Sequence, residues 1–161
     1  SMNVRLKKIL ASKAFDQPKR YVFSKELTLD WNAPFFNLPG QKVVVTSKRN
    51  LPKSARKIKN LSLLNCKSKG RFLDPKNFIE KISRFKINNI LLESGPNLLG
   101  SFGDANLIDE FIFYISPEKL GSQAEYFYKG KNKINFFDKK QFDIVEETQV
   151  GKDKKIVFRK K

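Results

Sequence analysis

The sequence contains no histidine and only one cysteine among its 161 residues. The lack of histidine excludes catalytic triads and general bases that use an imidazole, and it removes the commonest zinc ligand. A single cysteine excludes a disulfide within the chain. Because Cys66 lies in the apolar run 61–66, we expect a buried, inert thiol. We therefore predict no metal site and no catalytic side chain of these types.

Long hydrophobic runs are also missing. The apolar runs, of which 42–46 and 89–92 are examples, are far shorter than the ~20 residues that a membrane-spanning helix needs. The N-terminus has no apolar core of a signal peptide. We therefore expect no membrane partner and a cytoplasmic location. A hydrophobic fraction of 40% is enough to build a core, and the length predicts one domain over residues 1–161.

Acidic residues are scarce relative to basic ones, and the formal net charge is +17. Such a charge can indicate a partner that is a nucleic acid. The lysines, however, are spread along the whole chain, and Asn, Ile, Phe and Lys are enriched together as in proteins from AT-rich genomes. A domain that binds nucleic acid or another polyanion is therefore kept only as an alternative, although the charge favours phosphate-bearing ligands in general.

Strand and helix patterns alternate in the middle of the chain. Helices are predicted from Pro75, capped by Asp74, to about residue 86, and from about Asn97 onwards. Gly151 lies in the turn of a predicted closing hairpin, and 120–140 is expected to be a surface loop. Strands are predicted at 20–24, 42–47, 61–65, 89–93, 110–116, 142–150 and 154–159. The alternation indicates an α/β fold with an antiparallel hairpin at its end.

Residues 90–121 carry the clearest functional pattern. A buried strand is expected to lead into Glu93, followed by the turn Ser94-Gly95-Pro96 and by a helix that Asn97 is able to cap. Free N–H groups and the helix dipole favour an anion at such a helix start, and Gly95 lets the backbone approach a ligand closely. Glu93 lies where open α/β sheets bind their ligands. The structural alternatives are an ordinary strand–turn–helix junction and an acid that caps the helix.

Several motifs occur in a fixed order along the chain. Together they resemble the reductase half of the bifunctional deaminase–reductase family of riboflavin biosynthesis. The resemblance spans essentially the whole chain. The motifs are Val4-Arg5, QPKRYVF at 17–23, Pro39-Gly40, ESGPNL at 93–98, LIDE at 107–110, ISP at 115–117 and Leu120-Gly121.

The resemblance implies a dihydrofolate-reductase-like, three-layer α/β fold with a mixed, mostly parallel sheet and helices on both faces. It implies an enzyme that uses NADPH to reduce 5-amino-6-(5-phosphoribosylamino)uracil to the ribitylamino form, with hydride passing to C1 of the opened ribose. It also implies a homodimer. Because fold does not determine substrate, an NADPH reductase of another pterin or pyrimidine stays an alternative.

The resemblance also assigns site residues. Glu93 and Arg5 would bind the substrate, and Arg5 is suited to grip its phosphate. Lys25 stands close to the position of a cofactor-contacting serine of the family and could pair with a cofactor phosphate. The remaining cofactor residues would be Gly95, Pro96, Asn97, Leu98, Leu99, Gly100 and Ser101.

The chain departs from the family pattern in three respects, of which the first is Ser24-Lys25 in place of the family's usual Asp-Ser. Ser94 stands where the family often has Gly or Ala, and Asn97 stands where it often has Thr. The family domain also opens with a strand and helices before the Val-Arg motif, which here begins at Val4. We therefore expect the larger, C-terminal part of the domain, inactive alone and prone to self-association through an unpaired sheet edge. The zinc deaminase half, which needs a His/Cys cluster, is expected on the same full-length polypeptide.

Overall fold

The computed structural model describes residues 17–161, so the predicted site residue Arg5 lies outside the described residues. The chain divides into two compact units, Ser1–Arg84 and Phe85–Lys161. The interpretation of residues 1–161 as one domain stays a prediction. Within 17–161, no helix has the length and apolar character that crossing a bilayer requires.

The first unit is built on three parallel strands in the order β1-β2-β3. These are β1 (Arg20–Phe23), β2 (Lys42–Thr46) and β3 (Leu61–Asn65), which confirms three of the predicted strands to within one residue. The remaining elements are helix α1 (Pro34–Asn37), a 3-10 turn (Lys53–Ala55), the short hairpin of β4 (Ser68–Lys69) and β5 (Phe72–Leu73), and helix α2 (Pro75–Ile82).

The central strand β2 is buried along its whole length. Its three valines are β-branched and carry no polar side-chain group, which suits a parallel strand covered on both faces. The one hydroxyl of the strand belongs to Thr46, and it donates to the carbonyl oxygen of Lys25 at 2.7 Å. Cys66, directly after β3, is 1% exposed, and burial raises the pKa of its thiol. The expectation of a buried cysteine is confirmed.

Helix α2 begins as predicted. The N–H of Lys76 donates to Oδ1 of Asp74 at 3.0 Å, and Pro75 occupies the first turn. The helix ends at Ile82, earlier than the predicted end near residue 86. The hydroxyl of Ser83 donates to the carbonyl of Glu80 at 2.8 Å, and Phe85, the next apolar position of the pattern, is 49% exposed. The helix therefore ends before the half-exposed Phe85, and the last buried residue of its apolar face is Ile82.

The second unit contains helix α3 (Pro96–Asp104) and the strands β6 (Glu110–Ile115), β7 (Phe142–Val150) and β8 (Asp153–Lys160). The strands form an antiparallel sheet in the order β6-β8-β7. This arrangement confirms the C-terminal hairpin, whose turn holds Gly151 at φ 62°. Residues 116–141 contain no helix or strand and are mostly exposed, which confirms the surface loop.

An aromatic cluster forms the core of the second unit. Phe111 on β6 packs with Phe142 of β7 and with Ile156 and Phe158 of β8. Phe136, from the long loop, meets the Phe111 ring edge-on at 4.8 Å between centroids. Edge-to-face packing is the favoured geometry for aromatic rings. The phenylalanines therefore serve the core, as their alternation along β6 suggests.

The predicted strand at 89–93 is wrong. Residues 88–95 form no helix or strand, and Ile90 and Leu91 are 48% and 67% exposed. A run of apolar residues becomes a strand only when a neighbouring strand accepts and donates its backbone hydrogen bonds. Among the strands of residues 17–161, none pairs with this run. Glu93 therefore lies within an irregular segment and not at the end of a buried strand.

Candidate functional site

The start of helix α3 is the centre of the candidate site. Gly95 is the N-cap at φ −70° and ψ 168°, without a side-chain cap, and Pro96 is the first helical residue. Proline suits this position because its φ is fixed and its missing N–H is not needed there. Asn97 already lies inside the helix, so the expectation that it caps the helix is wrong. The N–H groups of this first turn have no partner within the helix.

Gly95 has no structural reason to be a glycine within the described chain. Its φ is one that any residue adopts, and a Cβ atom placed on it would meet no atom within 4 Å. Glu93, Ser94 and Gly95 are all exposed. A glycine that neither backbone conformation nor packing requires is consistent with the close approach of a ligand.

Gly100 has the opposite character. A Cβ atom on it would lie 2.4 Å from the backbone nitrogen of Gly130, so α3 and the loop at 129–130 pack backbone against backbone. The N–H of Lys129 donates to the carbonyl of Pro96 at 3.1 Å, which joins the same loop to the helix start. Gly100 therefore holds the helix in its unit, and its predicted contact with a ligand has no direct support from its buried position.

The other predicted cofactor residues of α3 also differ in whether they are exposed or packed within the unit. Asn97 is exposed at the helix start, whereas Leu99 packs against the aromatic core of the unit. The hydroxyl of Ser101 donates to the carbonyl of Leu98 at 2.8 Å, one turn earlier in the helix. The exposed residues of the predicted cofactor segment are therefore Gly95 and Asn97, whereas Pro96, Leu98, Leu99 and Ser101 are half-buried.

Asp104, the last residue of α3, was not anticipated from the sequence. Its Oδ2 accepts the N–H of Lys131 at 2.8 Å, and its Oδ1 accepts the N–H of Asn132 at 2.9 Å and the hydroxyl of Tyr128 at 3.4 Å. We call this arrangement of Asp104 with residues 128–132 the loop clasp. The clasp fastens the loop whose backbone packs on Gly100. An acid at a helix C-terminus, where the dipole disfavours negative charge, is the sequence signal that could have revealed it.

The hydrogen bonds of the clasp set the ionisation of both side chains. Burial alone would raise the pKa of Asp104, but the N–H groups of Asn132 and Lys131, with the Tyr128 hydroxyl and the Lys131 charge, outweigh it, and the pKa lies below its usual value. Burial raises the pKa of Tyr128, and the charge of Asp104 and their hydrogen bond raise it further. The clasp is therefore formed by a carboxylate and a neutral phenol.

Lys25 lies in the first unit, at the carboxyl end of the parallel sheet. Its Nζ donates to the carbonyl of Gly70 at 3.0 Å, in the turn of the β4–β5 hairpin. Its own carbonyl accepts the hydroxyl of Ser47 at 3.0 Å as well as that of Thr46. Glu93 and the α3 start belong to the second unit. The Glu93 carboxylate makes no hydrogen bond or ion pair with any residue of 17–161 and is open to a ligand.

Known proteins share both the sequence and the fold of this chain. A family model described as the RibD C-terminal domain matches residues 1–155. The riboflavin biosynthesis protein RibD of Buchnera aphidicola (subspecies Baizongia pistaciae) is 40% identical over 98 residues, which are 61% of this chain and 26% of that protein. A 5-amino-6-(5-phosphoribosylamino)uracil reductase of B. aphidicola (subspecies Acyrthosiphon pisum) is 25% identical over 98% of this chain and 78% of its own length.

Solved structures confirm the fold class. RibD of Acinetobacter baumannii superposes with a TM-score of 0.73 at 20% identity, over 99% of this chain and 42% of that one. The riboflavin biosynthesis reductase of Saccharomyces cerevisiae gives 0.69 at 15% identity, over 90% and 71%. The α/β, dihydrofolate-reductase-like fold expected from the sequence is confirmed. The chain spans about a quarter of the length of the RibD protein from B. aphidicola.

Proposed function

The chain belongs to the RibD C-terminal domain family, and on that premise we propose that it is the reductase part of a riboflavin-pathway enzyme. The reaction is the NADPH-dependent reduction of 5-amino-6-(5-phosphoribosylamino)uracil to its ribitylamino form. The observation that carries the proposal within the molecule is the open segment Glu93-Ser94-Gly95-Pro96. It joins an unpaired carboxylate to a helix start whose glycine the fold does not require.

The helix start fits the phosphates of a dinucleotide. Its free N–H groups and the positive end of the helix dipole attract anions. The missing side chain at Gly95 leaves room for a phosphate or a ribose to reach the backbone. The exposed amide of Asn97 adds a donor and an acceptor beside it. The bound cofactor would supply the hydride, and the protein would position and hold its two ligands.

Glu93 is the residue that we assign to the substrate. Its exposed carboxylate accepts hydrogen bonds from ribose hydroxyls or from ring N–H groups, and charge-assisted bonds of this kind are about twice as strong as neutral ones. Arg5 is proposed to contact the substrate phosphate and Lys25 a cofactor phosphate. Both assignments rest on the family resemblance. No side chain is assigned an acid, base or nucleophile role.

The first test is the titration of the chain with NADPH by calorimetry, at salt high enough to screen general lysine–phosphate attraction. We expect saturable binding with one site per chain, weakened at least tenfold by Gly95→Val, since 1.4 kcal/mol of lost contact is about a factor of ten. A Cβ atom at this exposed position meets no heavy atom within 4 Å apart from its chain neighbours, so the fold is expected to stay intact. Asn89→Val, in the same irregular segment, is the matched control. Unchanged binding by Gly95→Val would remove the α3 start from the site.

The second test addresses Glu93→Gln. We expect kcat/KM to fall by roughly 10- to 150-fold, because a hydrogen bond to a charged group contributes about 1.5–3 kcal/mol. The assay follows NADPH oxidation by the longer polypeptide that we propose to carry the opening strand and the deaminase domain. Glu118→Gln, another exposed acid of the second unit, is the control. Full activity of Glu93→Gln would show that Glu93 does not bind the substrate.

The same assay separates the alternative substrates, since a different pterin or pyrimidine would be reduced with a higher kcat/KM. We also propose that the protein acts in the cytoplasm, that it is a homodimer, and that nucleic acid is not its partner. Size-exclusion chromatography with light scattering tests the dimer. A stable particle with the mass of one chain at high concentration would contradict it.

A further inference from the structure

A cavity lies in the first unit, among residues 29–60. Its volume is about 790 Å³, within the range of roughly 300–1,000 Å³ typical of small-molecule sites. It is lined at the amino-terminal edge of the parallel sheet, where Lys42 begins β2 and Asn60 immediately precedes β3. Because the strands are parallel, Lys25 and Thr46 mark the opposite edge. We call this cavity the amino-edge pocket.

The Lys42 side chain is the unusual feature of the amino-edge pocket. The residue is 3% exposed, and its Nζ donates to the carbonyl of Leu38 at 2.8 Å. An ammonium group has three N–H donors, and within 17–161 no carboxylate forms an ion pair with it. Burial lowers the pKa of Lys42, and the neighbouring charge of Arg20 lowers it further. A buried cation with donors to spare is stabilised by an anion.

The walls of the pocket combine aromatic rings with further positive charge. The ring centroids of Trp31 and Phe36 are 5.0 Å apart, and the angle between the two ring planes is 39°. Phe36 is buried, whereas Trp31 is only partly so and lines the cavity. Lys57 and Lys59 stand exposed on its rim.

One acid also lines the amino-edge pocket. Asp30 is exposed, and its Oδ1 accepts the N–H of Asn32 at 3.0 Å. Counting the lysines at 42, 57 and 59 against this carboxylate leaves a net charge of about +2 on the lining. A dianion such as a phosphate monoester matches that charge better than a carboxylate does.

We propose that the amino-edge pocket binds a small planar ring that carries a phosphate group. The phosphate accepts hydrogen bonds from the ammonium of Lys42 and is attracted by Lys57 and Lys59. The ring lies against the indole of Trp31. All the residues that line this pocket belong to the first unit, and the proposal does not depend on the reductase function.

The experiment uses Trp31 as its reporter, because it is the only tryptophan of the chain. A ¹⁵N-labelled sample shows one indole N–H peak, which is followed during titration with phenyl phosphate. We expect saturable movement of this peak below about 10 mM ligand. Inorganic phosphate, which lacks the ring, and benzyl alcohol, which lacks the charge, are expected to bind at least about tenfold more weakly.

Two variants make the test specific. Lys42→Met keeps an unbranched apolar stem and removes the ammonium, and it is expected to weaken phenyl phosphate at least about tenfold. The double variant Lys57→Met/Lys59→Met changes exposed side chains only, so it reports on the rim even if Lys42→Met does not fold. Lys76→Met, on the exposed side of α2, is the control and should bind normally.

Three outcomes would overturn the proposal. The first is an indole peak that does not move when phenyl phosphate is added. The second is a variant, either Lys42→Met or the double variant, that binds phenyl phosphate as tightly as the unaltered chain does. The third is competition by NADPH, which would make the pocket part of the cofactor site. Loss of NADPH binding by Gly95→Val with an intact phenyl phosphate titration would instead show that the two sites are independent.

Discussion

Replacement of Phe78 by alanine is expected to lower the free energy of unfolding by about 3–5 kcal/mol, the usual cost of emptying a buried aromatic site. Phe78 is 2% exposed on α2. Its ring meets Tyr21 edge-on at 5.3 Å and Phe23 at 4.8 Å between centroids. Both partners are on β1, so the ring joins α2 to the edge of the parallel sheet. A cavity at this place removes contacts from both elements at once.

Urea unfolding, followed by the fluorescence of Trp31, measures this effect because Trp31 belongs to the same unit. Phe72→Ala is the matched control, since Phe72 lies in the same unit but is 42% exposed. We expect the control to lose less than about 1 kcal/mol. Equal losses for the two variants would mean that Phe78 is not part of a close-packed core.

The loop clasp carries the second large effect. Asp104→Ala leaves the N–H groups of Lys131 and Asn132 without their acceptor, and a hydrogen bond to a charged group contributes about 1.5–3 kcal/mol. We therefore expect a loss of stability of that size. Because the clasped loop packs on Gly100 and bonds to the Pro96 carbonyl, NADPH binding should weaken as well. Asp138→Ala, whose carboxylate bonds only within its own turn, is the control.

The pH dependence of stability tests the charge of the clasp. The pKa of Asp104 is lowered in the folded chain, so the unfolded chain binds more protons between the two pKa values. The stabilisation is therefore fully present above the unfolded pKa of about 3.9 and is lost as the pH falls through the lower, folded value. In Asp104→Asn this part of the acid dependence should disappear. An unchanged slope below about pH 4 in thermal melts would contradict the assignment.

Much of the fold follows from local sequence patterns. The valine run of β2, the Asp74-Pro75 helix start and the Gly151 hairpin each combine a strong propensity with a recognisable end signal, and all three are present as predicted. In each case the residues that the element pairs with or packs against lie nearby in the sequence or belong to the same unit. Agreement between local preference and available partners is what makes such elements predictable.

The run at 89–93 has the composition of a strand but not its hydrogen bonds. Composition alone describes what a segment prefers, whereas a strand requires a neighbour of matching register. For the same reason the helix cap was misassigned. Asn97 is a good capping residue in isolation, but Pro96 already has the φ of a first helical residue, and so the cap moves to Gly95.

The candidate site was predictable only in part. The Glu93–Pro96 motif and the nearby Gly100 are visible in the sequence, but only the structure distinguishes the exposed Gly95 from the packed Gly100. The loop clasp joins Asp104 to residues about 27 positions later, which no periodicity reveals. The amino-edge pocket likewise collects residues from five separate runs between Leu29 and Asn60, and none of its aromatic and basic members stands out in the sequence by itself.

The strand order of the second unit has a consequence for the synthesis of the chain on the ribosome. The central strand, β8, is the last strand along the sequence. Because β6 pairs with β8, for example Ile112 with Val157, the β6–β8 hydrogen bonds cannot form before β8 has been synthesised. A ribosome completes the three strands of the parallel sheet by Asn65, long before it has made β8. The nascent chain therefore carries β6 without its β8 partner until that strand has been made, and an unpaired strand can pair with other chains during that interval.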